Sequence, residues 1–137
     1  MAELWNYRRA ILVMLGLYWL SLVVATHYPL ESVPVLFTNQ DKAVHIFAYG
    51  IFTALLWWAI QLGPWRTVRF MGILVVFGLA VHAAMDEYTQ QYFRGRFPDF
   101  FDYCADMLGV LIAIPIADWT FRRVCRPRRH GLYSDPT

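Results

Sequence analysis

Four apolar blocks, separated by short polar connections, follow one another along the chain. They cover about residues 10–26, 41–62, 68–90 and 103–121. An α-helix needs roughly 17 to 25 mainly apolar residues to cross a bilayer, and each block has about that length. The connections contain Pro29, Pro34, Pro64 and Pro98, which prevent one helix from running into the next. The pattern predicts an all-α membrane protein, a bundle of four transmembrane helices.

The composition leaves no room for a second domain. Of the 137 residues, 58% are hydrophobic and 16% are charged, whereas a soluble domain carries about 25% charged residues. Since the four blocks nearly exhaust the chain, we expect residues 1–137 to form a single transmembrane domain. Pro115 lies inside the fourth block, where neighbouring helices can satisfy the carbonyl that it frees.

Basic residues are distributed unequally between the two sides of the predicted bundle. Nine lie at the termini or between the second and third blocks: Arg8, Arg9, Arg66, Arg69, Arg122, Arg123, Arg126, Arg128 and Arg129. The other side carries Lys42, Arg94 and Arg96 and most of the acidic residues. The positive-inside rule therefore predicts that both termini are cytoplasmic. A net charge of +2 favours membrane lipids as partners over nucleic acid.

A first polar motif opens the second helix at Asp41. Lys42, His45 and Tyr49 follow at spacings of three and four residues, so they share one face of the helix. Asp41 suits a helix N-terminus, where a carboxylate accepts hydrogen bonds from free amides. One interpretation is structural, with a capping aspartate, an outward-reaching lysine and a packed histidine. Because ionisable groups at membrane depth are costly, a functional site is the other interpretation.

A second polar motif begins at the end of the third helix. His82, Asp86 and Gln90 are one turn apart on the same face. Glu87 points about 100° away from Asp86, so it is expected to face a different neighbour. The motif therefore presents two carboxylates in two directions at one end of the helix.

The motif continues across the third connection into the fourth helix. Arg96 precedes Asp102 and Asp106, which are one helical turn apart. Gly109 continues the same face and would let another helix approach closely. Because lipid cannot solvate such groups, we expect side chains from three helices to gather in one shared, outward-opening pocket.

Two explanations of this gathering stay open. In the first it is a salt-bridge staple, with Arg96 bridging Asp102 or Glu87 and Lys42 bridging Asp86. In the second it binds a ligand, because the carboxylates outnumber the bases and the surplus implies a bound cation, a protonated carboxyl or a cationic ligand group. Ten residues are predicted to bind the ligand: Asp41, Lys42, His45, Tyr49, Asp86, Glu87, Gln90, Arg96, Asp102 and Asp106.

The spacing of the candidate metal ligands does not favour a metal. No helix carries a His-x-x-x-His or Glu-x-x-His pair, so the ligands would have to come from three separate segments. We therefore predict no metal site and no cofactor.

These two motifs resemble those of the VanZ-like family of small bacterial membrane proteins. Residues 41–49 are similar to the family's DKxxHxxxY block, and residues 86–109 to its DExxQ, GR, D and G pattern. Arg94 and Asp106 depart from the Pro and Asn common in the family. The resemblance implies a four-helix protein of the bacterial plasma (inner) membrane. The family is named for a member that confers low-level resistance to the antibiotic teicoplanin.

The sequence is therefore consistent with three functions. The first is an outward-facing pocket that binds a lipid headgroup, a lipid-linked envelope precursor or a lipoglycopeptide antibiotic. The second is an enzyme acting on a lipid-linked substrate, with His45, Asp86 and Glu87 as candidate catalytic residues and Arg96 binding anionic charge. The third is a structural or assembly subunit held together by the staple. Association of several copies stays open.

Overall fold

A computed structural model describes residues 2–28, 38–93 and 97–125 of the protein, and the regular secondary structure in these residues is entirely helical. The α-helices are α1 (Ala2–Thr26), α2 (Gln40–Gln61), α3 (Met71–Gln90) and α4 (Phe100–Cys125), with a short 3-10 helix at Pro64–Thr67 between α2 and α3. All four are long and apolar enough to cross a membrane. The predicted all-α bundle of four membrane helices is confirmed.

The first and last helices extend beyond the apolar blocks that predicted them. α1 begins at Ala2 rather than near residue 10, and α4 runs from Phe100 to Cys125 rather than from about 103 to 121. An apolar block marks the part of a helix that meets hydrocarbon, whereas its hydrogen-bonded turns continue through the polar interface. Hydropathy therefore locates the crossings and underestimates these two helices. It overestimates the third, because α3 begins at Met71 rather than near residue 68.

The second and fourth helices lie side by side and run in the same direction. At their beginning, His45 of α2 meets Asp106 of α4 at 2.8 Å. At their end, the Gln61 side chain donates a hydrogen bond to Asp118 of α4 at 3.2 Å. The helices α1 and α3 run the opposite way, and the hydrogen bond from Thr26 to Asp86 joins their C-terminal ends.

Glycine allows the close approach of α2 and α4. A Cβ atom on Gly109 would collide with the carbonyl oxygen of Ile46 and lie 3.1 Å from the amide nitrogen of Gly50. Small residues at such a crossing let two helix backbones come into direct contact. The crossing lies one turn beyond His45 and Asp106, so it brings these two side chains within reach of each other.

The outer surface of the bundle is apolar, as contact with lipid requires. The core of the bundle is a cluster of buried apolar residues: Leu22, Tyr49, Phe52, Val75, Leu79, Ala83 and Val110. Large apolar side chains point outward instead, among them Phe47 and Phe77, which are 71% and 69% exposed. In water such an extensive apolar surface would drive association, whereas in a bilayer it is the solvated face. The chain is a multi-pass membrane protein.

Charge divides the bundle into two ends. The arginine end carries the described arginines: Arg8, Arg9, Arg66, Arg69, Arg122 and Arg123. Trp5 and Trp119 lie here, with Arg9 4.8 Å from the Trp5 ring and Arg123 5.1 Å from the Trp119 ring. The acidic end is formed by the C-termini of α1 and α3 and the N-termini of α2 and α4. Which end faces the cytoplasm stays a prediction from the arginines.

Candidate functional site

Lys42 lies at the centre of a group of carboxylates at the acidic end. Its Nζ atom is 2.9 Å from Asp41, 2.9 Å from Asp102 and 3.1 Å from Asp99. The expected bridge from Lys42 to Asp86 is wrong, because α2 runs beside the start of α4 while Asp86 faces α1. We call Lys42 with these three aspartates the lysine cluster.

Asp99 was not predicted as a site residue, although its position just before α4 is a signal that capping rules could have used. Its Oδ1 atom accepts a hydrogen bond from the Phe101 amide at 2.8 Å, the arrangement of a helix N-cap. This amide, together with the Lys42 ammonium, lowers the pKa of the Asp99 carboxyl. One residue thus both starts α4 and anchors α2 to it.

His45 and Asp106 form the buried centre of the acidic end. The Nδ1 atom of His45 is 2.8 Å from Oδ1 of Asp106, and its Nε2 atom is 3.8 Å from Oδ2 of Asp102. His45 is 7% exposed, and Asp106 is completely buried. The second oxygen of Asp106, Oδ2, has no hydrogen-bond partner among the described residues. A histidine and a carboxylate therefore form a buried contact, and Oδ2 of Asp106 is an acceptor atom without a hydrogen bond to the described residues.

Glu87 brings the third helix to the same place. Its Oε2 atom accepts a hydrogen bond from the Asp99 amide at 3.0 Å, and its Oε1 atom accepts one from the Gln90 side chain at 3.3 Å. His45, Glu87 and Asp106 each offer a ligand atom, and these atoms lie within 4.8 Å of one another. We call these three residues the His45 cluster; they come from α2, α3 and α4.

Asp86 belongs to a different group, between α3 and α1. Its Oδ1 atom accepts a hydrogen bond from Thr26 at 3.0 Å and lies 4.0 Å from Nδ1 of His27. The other nitrogen of His27 is 3.0 Å from the Thr89 hydroxyl. The shared pocket expected from the sequence is thus divided, with Asp86 on one side of α3 and Glu87 on the other. Thr26 and His27 were missed because nothing in their spacing marks them.

Tyr49 and His82 link the polar end to the apolar core. Trp19 donates its indole N–H to Nε2 of His82 at 2.9 Å, so this nitrogen is the acceptor in the neutral ring. The Nδ1 atom then carries the proton and donates it to the Tyr49 hydroxyl at 3.0 Å. Tyr49 is 1% exposed, which places it as a packing residue beneath the His45 cluster rather than at an open surface.

A groove of about 520 Å³ opens between the ends of α3 and α4. We call it the α3–α4 groove; it is lined by Ala84, Glu87, Tyr88, Gln91, Pro98, Asp99, Phe100 and Tyr103. Three aromatic rings and two carboxylates therefore surround one opening. Glu87 belongs to both the groove and the His45 cluster, so it connects the outside with the buried histidine.

Of the ten predicted ligand-binding residues, Arg96 lies outside the described residues. Its expected contacts with Asp102 and Glu87 stay predictions. Eight of the described nine are divided among the lysine cluster, the His45 cluster, the Asp86 group and the Tyr49–His82 pair. The ninth, Gln90, donates a hydrogen bond to Glu87 of the His45 cluster.

Comparison with known protein families gives a match. The family model described as VanZ/LLP1 matches residues 11–121, which is well over half of the chain. Searches of curated proteins and of solved structures return no match. The matched range includes all of α2 and α3, most of α1 and α4, and every residue of the acidic end discussed above.

Proposed function

The chain belongs to the VanZ-like family, and from this premise we propose that its acidic end binds an amine-bearing headgroup of a membrane lipid or lipid-linked envelope component. The α3–α4 groove carries this proposal, because its walls combine aromatic rings with the carboxylates of Glu87 and Asp99. Carboxylates form charge-assisted hydrogen bonds with an ammonium group, and aromatic faces attract it.

The charge of the acidic end favours an amine over a phosphate. Lys42 already contacts three carboxylates, so its positive charge is compensated within the lysine cluster. A phosphate would bring further negative charge to a region where carboxylates exceed the described bases. An ammonium group would reduce that excess.

The distribution of arginines supports an outward-facing groove. With the arginine end in the cytoplasm, as the positive-inside rule predicts, the α3–α4 groove would open at the outer face of the plasma membrane. Lipid-linked envelope precursors and an externally added lipoglycopeptide such as teicoplanin meet the membrane at this face. The family's link with teicoplanin makes that antibiotic a second probe for the same groove.

The proposal is tested by thermal unfolding of the purified protein in detergent, with added phosphatidylethanolamine or phosphatidylglycerol. We expect phosphatidylethanolamine to raise the Tm and phosphatidylglycerol to have little effect. Glu87→Gln should lose this response, whereas Asp118→Asn at the arginine end should keep it. Equal responses to both lipids, or an unchanged response in Glu87→Gln, would contradict the proposal.

A second candidate function is an enzyme acting on a lipid-linked substrate. It is favoured by the buried pair of His45 and Asp106, since a carboxylate 2.8 Å from an imidazole can orient it for proton transfer. Incubation with a polyprenyl-diphosphate-linked sugar should then yield a new product by mass spectrometry. That product should disappear in Glu87→Gln and in His45→Gln.

A further inference from the structure

We propose that the His45 cluster binds a divalent metal ion. The ion would be held between α2, α3 and α4 by one imidazole nitrogen and by carboxylate oxygens of Glu87 and Asp106. This site goes beyond headgroup binding, since its occupancy can be measured in the absence of any lipid.

The first argument is geometric. The three ligand atoms lie within 4.8 Å of one another and come from three different helices. Protein nitrogen and oxygen ligands lie about 2.0–2.2 Å from Zn²⁺, so tetrahedral ligands are roughly 3.4 Å apart. The separations in the structure reach up to 4.8 Å, so a bound ion would draw the three side chains closer together.

The second argument is the unused oxygen of Asp106. Asp106 is 0% exposed, and its Oδ2 atom has no hydrogen-bond partner among the described residues. A buried acceptor without a partner loses its hydration and gains nothing in return. The same carboxylate already contacts His45 through Oδ1, so Oδ2 is free of hydrogen bonds to the described residues and can bind an ion.

The third argument is charge. Glu87 and Asp106 are both buried, and within the described residues the neighbouring Lys42 contacts Asp41, Asp99 and Asp102 instead. Two carboxylates in a region of low dielectric need a cation or a proton. A divalent ion neutralises both at once, whereas His45 contributes a neutral ligand.

The surroundings of Glu87 resemble the outer shell of a metal site. The Gln90 side chain and the Asp99 amide each donate a hydrogen bond to one of its oxygens. Such donors fix the orientation of a ligating carboxylate. The Oδ2 atom of Asp102 lies 3.8 Å from Nε2 of His45, close enough to serve as a further oxygen ligand. One nitrogen with several oxygens suits Zn²⁺ or Mn²⁺.

The test is the metal content of the purified protein after removal of bound ions with EDTA and reloading with Zn²⁺ or Mn²⁺. We expect one ion per chain by inductively coupled plasma mass spectrometry, and visible absorption bands when Co²⁺ is used as the probe. Glu87→Gln and Asp106→Asn should each reduce the bound ion at least tenfold. Circular dichroism establishes that each variant retains its helices.

Asp41→Asn is the matched control, because Asp41 belongs to the more exposed lysine cluster. It should keep one ion per chain. A wild-type protein that holds no stoichiometric ion after loading with each metal would overturn the proposal, and would leave a shared proton as the counter-charge. Loss of the ion in Asp41→Asn but not in Glu87→Gln would also overturn it.

Discussion

The backbone of Gly109 packs directly against the carbonyl oxygen of Ile46, and this contact sets the distance between α2 and α4. One turn away, the same approach places Asp106 2.8 Å from His45. A side chain at position 109 would push the helices apart and separate the histidine from its carboxylate. The glycine of the second motif is therefore a positioning residue for the buried cluster.

We expect Gly109→Ala to lower the free energy of unfolding by roughly 1–3 kcal/mol, the usual cost of overpacking. Thermal unfolding in detergent measures the effect. Gly78→Ala is the matched control, because a Cβ atom there would meet nothing within 4 Å. Equal stability of the two variants would show that α2 and α4 do not make this contact.

Thr26 is predicted to stabilise the junction of α1 and α3. In Thr26→Val, the buried carboxylate of Asp86 loses its 3.0 Å hydrogen bond, and its other oxygen already has no partner among the described residues. We expect a loss of about 1–3 kcal/mol in the free energy of unfolding. Thr67→Val, at an exposed turn, should cost much less. An unchanged free energy of unfolding in Thr26→Val would contradict the hydrogen bond between Thr26 and Asp86.

A substitution of Lys42 tests whether the lysine cluster only stabilises the fold or also takes part in lipid binding. Lys42→Met removes the charge shared by three aspartates, and because the side chain is partly exposed we expect a loss of about 1–2 kcal/mol. The Tm increase caused by phosphatidylethanolamine should persist. Arg122→Met, which breaks a mostly exposed pair with Asp118, should cost less than about 1 kcal/mol. A lipid response lost with Lys42 would place the lysine in the site.

The lowered pKa of Asp99 predicts the pH dependence of its contribution. Because its pKa in the folded protein lies below the ordinary 3.8, the ionised carboxylate stabilises the fold. That stabilisation is complete above the unfolded pKa and is lost as the pH falls through the folded one. The Tm difference between wild type and Asp99→Asn should stay constant from pH 7 to about pH 5 and shrink below about pH 4. A difference that vanishes near pH 6 would contradict this assignment.

Labelling of the two cysteines can measure how the bundle is oriented in the membrane. Cys104 and Cys125 are both exposed, near opposite ends of α4. In intact cells we expect a membrane-impermeant maleimide to label Cys104 in Cys125→Ser and to leave Cys125 unlabelled in Cys104→Ser. Permeabilised cells serve as the control, because both thiols should then react. The reverse pattern would place the arginine end outside.

Much of the arrangement at the acidic end follows from helical spacing. The intervals between Asp41, Lys42 and His45 place them at the start of one helix, and the 100° between Asp86 and Glu87 sends them to different neighbours. Spacing does not identify those neighbours. It could not show that Lys42 contacts Asp99 and Asp102, because Asp102 lies on another helix and Asp99 directly before that helix.

The sequence by itself determined the four helices, their membrane-spanning character and the separation of arginines from carboxylates. These properties depend on local composition and on the repeat of a single helix. The tertiary structure alone decided that α2 lies parallel to α4, that Glu87 joins His45 and Asp106, and that a groove opens beside them. Such contacts depend on how closely two helix backbones approach, and this approach is set by packing between residues distant in the chain.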